Sequence, residues 1–299
     1  MTTFRELEAF VAVADLGSFD RAARSLATTQ SNISRHVSDF EGSFDKPLFD
    51  RSSRSARLTM DGQEVLPLAR GILRQRANLA ERFGNPDLVS STLRLGVTEL
   101  AALTWLGRFL VELRERYPRM QVELEVASSA TLHTRLRHGQ LDIAIVVNSL
   151  QTTDMARLPV GRAVFGWFCS SALAVPDTLE QGEFEAQTVL LQGNPSEGTS
   201  VMSQWIRERD VQVANTIECD SLAALAGICA AGLGVGGLPR AVAQGPVRKG
   251  ALREVTIPIG APDIEYIALV RIDAISDFHR NVVALAHQNC DFQTPFDGA

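Results

Sequence analysis

The stretch from Ser18 to Gly62 constrains this 299-residue chain more than any other. It reads Ser-Phe-Asp-Arg-Ala-Ala-Arg-Ser-Leu, then Ala-Thr-Thr-Gln-Ser-Asn-Ile-Ser-Arg-His-Val, then an arginine-dotted segment ending Leu58-Thr59-Met60-Asp61-Gly62. Just upstream, Phe4, Leu7, Phe10, Val11 and Ala14 recur at spacings of three and four, which predicts a helix with one apolar face. Gly17 ends that helix and Ser18 is placed to cap the next. In the second helix Phe19, Ala22, Ala23 and Leu26 are expected to point inward, the alanines being small enough for close helix approach. Thr28 or Thr29 caps a third helix, whose buried stripe is Ile33, Val37 and Phe40.

That stripe leaves Gln30, Ser31, Asn32, Ser34 and Arg35 near the exposed N-terminal end of the third helix, with Thr29 at its cap. These side chains have the length and hydrogen-bonding groups to reach base edges, Arg35 forking onto a guanine and Gln30 onto an adenine. A solvated helix face is the plainer reading of the same residues. The following segment weighs against it. Arg51, Arg54 and Arg57 are spaced by three among small hydroxyl residues, and guanidinium groups on a loop suit phosphates and the narrow minor groove. Two short helices around a tight connection, followed by a basic wing, outline a winged helix-turn-helix of all-α type over residues 1–60. Residues 1–60 hold 8 basic and 8 acidic side chains. Any field toward DNA must therefore come from the local placement of arginines, and non-specific affinity should be modest.

Residues 3–62 resemble the DNA-binding domain of LysR-type transcriptional regulators. The match is carried by Leu7, Phe10, Gly17-Ser18-Phe19, Ala22-Ala23, Leu26, Thr29-Gln30, Ile33-Ser34, Phe40-Glu41, Leu48-Phe49, Arg51, Leu58-Thr59 and Gly62. The chain departs from the family pattern at Asn32, where alanine usually follows the Ser-Gln-Pro or Ser-Gln-Ser head of the recognition helix. It departs again at Phe44-Asp45, where Leu-Gly is usual. The first change bears on base preference, the second on the turn into the wing.

Residues 61–86 form a bridge. Val65, Leu66, Leu68, Ala69, Ile72, Leu73, Arg76, Leu79 and Phe83 predict a helix broad enough to bury against more than one neighbour, with Pro67 in its first turns. The resemblance implies a linker helix that pairs with its copy in a second subunit; folding back on its own domain is the alternative. A homodimer or homotetramer also follows from the reach of one winged helix, which reads only a few base pairs. Gly84-Asn85-Pro86 and Ser90-Ser91 break the pattern and mark the boundary. The net charge of −6 lies beyond it: residues 1–86 carry 12 basic and 11 acidic groups, so the remainder is acidic and should not hold nucleic acid.

From Leu93 strands and helices alternate. Strands are expected at Leu93–Val97, Val122–Val126 and Asp142–Val147, with helices at Leu100–Tyr117 and Ala130–His138, a βαβαβ order that argues a parallel doubly wound sheet. A second unit follows, with strands near Ala163–Cys169, Val189–Leu191, Val213–Glu218 and Val235–Leu238 and helices near Thr199–Arg209 and Leu222–Ala231. The apolar run Ile264–Ile272 should return to the first sheet, and Ser276–Asn289 should be a closing helix. Two α/β lobes crossed twice by the chain are similar to periplasmic binding proteins, and so to the effector domain of the LysR family. The expected bilobal α/β effector domain spans 92–299, with lobe I at about 92–161 and 268–291 and lobe II at about 162–267.

A ligand in such a body belongs between the lobes, at strand carboxyl ends and helix amino ends. Thr98, Glu99 and Leu100 follow the first strand, Ser128 and Ser129 precede a helix, Asn148 follows the third strand, and Thr199 and Ser200 open a helix of the second lobe. Helix capping is the plainer role for the hydroxyl residues, and the two roles coexist. Relatives with acid effectors often carry a Ser or Thr where Leu100 stands, and some carry an Arg where Val147 stands. With Glu99 adding negative charge, an amine- or hydroxyl-bearing effector gains ground, while a small carboxylate stays open through the Ser129 and Thr199 helix ends.

Cys169, Cys219, Cys229 and Cys290 form no CxxC pair and read as reduced core thiols; Cys219 with Cys229 is the one redox pairing to weigh. Gly232-Leu-Gly234-Val-Gly236 follows a helix and precedes a strand, the reverse of a dinucleotide loop. The histidines lack metal spacing, and nothing resembles a catalytic elbow or acid pair, so no cofactor and no enzyme activity is expected. No apolar run approaches the ~20 residues of a membrane span, and the N-terminus lacks a signal-peptide pattern. The expectation is a cytoplasmic, sequence-specific transcriptional regulator that binds double-stranded DNA and a small-molecule effector. The alternative is a solute-binding or enzymatic α/β protein with an N-terminal helical assembly module, which would have no need of an arginine wing.

Overall fold

The computed structural model describes residues 2–44, 46–50, 56–83, 92–149, 152–193 and 201–294. The expectations placed on Asp45, Arg51, Arg54, the 84–91 break, Thr199 and Ser200 lie outside them, as do the side chains of Leu79 and Phe83. The chain divides into two compact units, Met1–Ser91 with Arg137–Gln140, and Thr92–Leu136 with Leu141–Ala299.

In the first unit, α1 (Phe4–Leu16) opens on a capping box: Thr3 Oγ accepts from the Glu6 N–H, and the Glu6 carboxylate accepts from the Thr3 N–H. It closes at Gly17, whose φ of 63° is the left-handed conformation expected of a helix-ending glycine. Ser18 then caps α2 (Phe19–Ser25), and Thr29, not Thr28, caps α3 (Gln30–Gly42). Phe10, Ala22, Ala23, Ile33, Val37 and Phe40 fill the core between the three helices. The Phe10 ring lies 5.1 Å from Phe40 and 5.5 Å from Phe49. Leu26 does not join them. Helix α2 stops at Ser25, so Leu26 leaves the inward stripe and stands 39% exposed.

Strands β1 (Phe49–Asp50) and β2 (Arg57–Leu58) pair antiparallel as the base of the wing, and the Ala56 N–H donates to the Gly17 carbonyl at 3.2 Å. Helix α4 (Met60–Phe83) buries Leu66 and Ala69 against this core and leaves Leu68 and Ile72 exposed. Pro67 is its eighth residue, past the first turns where it was expected. The Gln63 carbonyl therefore lacks its intrahelical donor.

The second unit is built on two parallel triplets. In the first, β3 (Thr92–Val97) lies between β4 (Gln121–Val126) and β5 (Ile143–Val147). In the second, β7 (Thr188–Gln192) lies between β8 (Asn215–Cys219) and β9 (Val235–Pro239). Two long antiparallel strands join them, β6 (Met155–Ser170) and β11 (Asp263–Arg271). β11 pairs with β5 and β6, so the chain does return to the first triplet there, and β6 runs on to pair with β9 and with β10 (Leu252–Val255).

The sheet is parallel only within each triplet, and β6 is more than twice the length expected. Its first half, which contains Pro159 and Gly161, is only partly buried. The structure accommodates them with a register shift at Tyr266/Ile267 of β11. The single helix expected at Leu100–Tyr117 is two, α5 (Glu99–Thr104) and α6 (Leu106–Arg116), because fully buried Trp105 breaks it to pack on Phe109 and Phe292. The remaining helices are α7 (Ser129–Arg137), α8 (Gln181–Glu185), α9 (Val201–Arg207), α10 (Leu222–Ala230), α11 (Arg240–Arg248) and α12 (Asp277–Asn289). Gly232-Leu-Gly234 lies between α10 and β9 and Val235-Gly236 opens β9, as the helix-before-strand order implied.

Candidate nucleic-acid interface and ligand cleft

Helix α3 divides by periodicity. Ile33, Val37 and Phe40 are buried, while Thr29, Gln30, Ser31, Asn32, Ser34 and Arg35 are all exposed. Thr29 Oγ accepts from the Asn32 N–H at 3.3 Å and lies 3.0 Å from Ser31 Oγ, so the cap and its neighbour hold each other. The Asn32 amide donates to Thr28 Oγ at 3.2 Å. The residue that departs from the family pattern is thus partly engaged in its own turn. Gln30, Ser34 and Arg35 make no such bond among the described residues and project the freest donors and acceptors of this face. Arg57, in β2, is exposed and stands opposite Asp50.

The wing is held by a residue that carries no recognition signal of its own. Glu41, buried near the end of α3, accepts from the Leu48 N–H at 2.7 Å and the Phe49 N–H at 3.0 Å, seating the entry to β1. Only its place in the Phe40-Glu41 pair signalled it.

The second unit holds a cavity of about 640 Å³ walled by both triplets. Thr98, Glu99, Leu100, Ser128 and Ser129 line it, as expected from sequence. Ser128 Oγ accepts from the Thr131 N–H, and Ser129 Oγ accepts from the Val147 N–H. Both therefore have structural roles alongside any ligand contact. Leu100 is buried and contributes apolar wall.

Asn148 does not line the cavity. Its amide donates to the Glu265 carboxylate at 3.1 Å, its N–H donates to the Glu265 carbonyl at 2.8 Å, and its oxygen accepts from Arg157. These bonds tie it to exposed Glu265 of β11, and the Asn148 amide with Arg162 keeps the Glu265 carboxyl below its usual range. Ser149 takes its place at the wall. Also missed were Gln192, Asp220, Ser221, Phe165 and Tyr266. They come from β6, β7, β11 and the β8–α10 turn, and no local pattern brings them together. Burial pushes the Tyr266 phenol up, so it stays a neutral hydroxyl beside Thr98.

Glu99 lines the cavity, and its carboxylate is already engaged by residues of the protein. The carboxylate accepts from the Ser221 hydroxyl at 3.0 Å and the Leu222 N–H at 2.6 Å, at the start of α10.

Burial pushes the Cys229 thiol up to about 11 and raises Cys169 and Cys290 likewise, so these remain protonated and poorly nucleophilic at neutral pH. Cys219 precedes α10 and Cys229 lies near its far end, about 10 Å along the axis at 1.5 Å per residue. A disulfide needs Cα atoms within roughly 7 Å. No helix among the described residues is long and apolar enough to cross a membrane.

Comparisons with known proteins agree with this architecture. Residues 4–63 match the bacterial regulatory helix-turn-helix model of the lysR family, and residues 86–291 match the LysR substrate binding domain. The HTH-type transcriptional regulator YofA of Bacillus velezensis is 29% identical over 240 residues, covering 78% of this chain and 80% of that protein. Among solved structures, a full-length OxyR variant from Pseudomonas aeruginosa superposes with a TM-score of 0.77 at 20% identity, covering 100% of this chain and 99% of that one. Full-length LysG from Corynebacterium glutamicum, solved with bound effector Arg, superposes with a TM-score of 0.63 at 19% identity, covering 96% of this chain and 98% of that one. The two matched models together span nearly the whole sequence: the chain belongs to the LysR family of helix-turn-helix transcriptional regulators, with a DNA-binding domain and an effector-binding domain.

Proposed function

We propose that this regulator reads operator DNA with the exposed face of α3 and responds to a small molecule held in the cavity of its second unit. Gln30, Ser34 and Arg35 contact base edges, with Thr29, Ser31 and Asn32 beside them. Arg51, Arg54 and Arg57 contact phosphate or groove. Thr98, Glu99, Leu100, Ser128 and Ser129 form the ligand wall on one side, with Thr199 and Ser200 assigned to the other. Residues 1–60 act as the DNA-binding domain, 61–86 as the linker and 92–299 as the effector domain.

The observation that carries the reading is the division of α3: a stripe buried to within a few per cent, and an opposite face of hydrogen-bonding side chains with few partners of their own. A helix whose only role is assembly would present apolar residues there. Helix α4 does so: Leu68 and Ile72 are exposed on a helix whose other face is buried, which supports pairing with a second copy. A ligand that favours one arrangement of the two triplets shifts that arrangement and, through the oligomer, the spacing of the recognition helices. The protein acts by binding, not by catalysis, in the cytoplasm where its DNA lies.

The test is a gel-shift titration of the full chain on the DNA flanking its own coding region, with and without metabolites chosen by thermal shift. Saturable, salt-sensitive retention that a stabilising metabolite alters supports the reading. Absence of retention by the folded protein on any flanking fragment would overturn it.

A further inference from the structure

Glu99 is the first residue of α5, yet its carboxylate serves a helix in the other half of the unit. One oxygen accepts from the Ser221 hydroxyl at 3.0 Å and the Ala223 N–H at 3.5 Å; the other accepts from the Leu222 N–H at 2.6 Å. Ser221 Oγ in turn accepts from the Ala224 N–H, and the Ser221 carbonyl accepts from the Leu225 N–H. Every N–H from Leu222 to Leu225 is therefore engaged. A helix start facing a cleft is where a fold ordinarily receives an anionic group, because its N–H groups lack intrahelical acceptors and its dipole favours negative charge. Here a carboxylate 123 positions upstream of Leu222 fills that role.

Two further observations bear on what the cavity accepts. Its volume of about 640 Å³ exists with Glu99 already seated, so a ligand has room without displacing it. Asp220, exposed on the same wall, adds a second carboxylate beside the α10 start.

We propose that Glu99 is the specificity determinant of this cleft, an internal substitute for a ligand acid group at the α10 end. The inference rests on the cavity being the effector site. The ligand presents a neutral or hydrogen-bond-donating group to Ser221 and Asp220, and any acid group it carries points away, toward α7. Glu99 also ties the β3 half of the unit to the β7 half before ligand arrives, so ligand binding adds to a closure that the chain itself maintains.

The experiment is amide hydrogen exchange on the full-length protein, read over residues 221–225, with formate as the probe. In E99A the Leu222 and Ala223 amides should exchange about tenfold to a hundredfold faster than in wild type, the factor a charge-assisted hydrogen bond represents. Formate should restore their protection in E99A and leave wild type unchanged, with chloride at matched ionic strength doing neither. E99Q keeps the side-chain volume and leaves no vacancy. It should lose protection without formate rescue, and it serves as the readout if E99A does not fold. Equal exchange at these amides in wild type and a folded E99A or E99Q, or a folded E99A that formate does not rescue, would overturn the proposal. If the exchange pattern is as expected but stabilising metabolites leave the α7 and Ser221 regions unaffected, the latch stands and the effector-site reading fails.

Discussion

Replacing Glu41 with alanine should unfold the first unit well before the second. Glu41 holds two backbone donors, Leu48 N–H at 2.7 Å and Phe49 N–H at 3.0 Å, and all three residues are under 9% exposed. Water cannot readily replace the lost carboxylate. A buried donor left unmade costs about 1–3 kcal/mol, so two cost about 2–6. Removing a partly desolvated charge offsets some of this, leaving about 2–4 kcal/mol. Small units have total stabilities of about 5–15 kcal/mol, and each kcal/mol moves the midpoint of a unit this size by roughly 4–8 °C. The helical transition of the first unit should therefore fall by at least about 8 °C. Trp105, Trp167 and Trp205 all lie in the second unit, so tryptophan fluorescence does not report on the first. Far-ultraviolet circular dichroism sees both. Glu41→Ala should shift an early dichroism transition and leave the fluorescence transition in place; Glu41→Gln, which keeps one acceptor oxygen, should shift it by about a third as much. Superimposable dichroism traces for Glu41→Ala and wild type would refute the reasoning.

Three further outcomes follow from the same unit. Arg35→Ala should cost about 1–3 kcal/mol at the operator and relax preference at one base pair, read by selection from a randomised operator library. Substituting any one of Arg51, Arg54 or Arg57 with alanine should weaken binding to all sequences alike and lower the salt slope by about 0.9, read by anisotropy titrations across salt; loss of operator discrimination instead would contradict a phosphate role. Gly62→Ala would place a Cβ 2.2 Å from the Leu48 carbonyl oxygen, pushing α4 off the segment that Glu41 holds. It should lower the same dichroism transition by about 1–3 kcal/mol and combine non-additively with Glu41→Ala.

What was legible in the sequence follows from how local each signal is. Ile33, Val37 and Phe40 repeat at helical spacing, so the stripe and the opposite face of α3 were readable, as were β3, β5 and β9 as short apolar runs. The first half of β6 was not, because Pro159 and Gly161 break a strand unless a bulge absorbs them, and the bulge at Val160 exists only in the pairing with distant β11. The split at Trp105 depends on Phe292, far along the chain. Asn148 carries an ordinary post-strand signal, yet Glu265 and Arg157 draw it away from the cavity. Glu99 was readable as a charge near the cleft; that α10 takes up this charge follows only from the pairing of the two halves.

We infer that a ligand in the second unit's cavity controls DNA binding by α3. Val126 tests it most directly, since its half-exposed side chain lines the cavity at the end of β4 and a larger one can enter that space without disturbing the core. The measurement is operator affinity of Val126→Trp with and without a metabolite that stabilises and regulates wild type. Basal affinity should stay within about threefold of wild type, less than 1 kcal/mol, with no response to the metabolite. An undiminished response, or loss of basal binding by the folded variant, would contradict it.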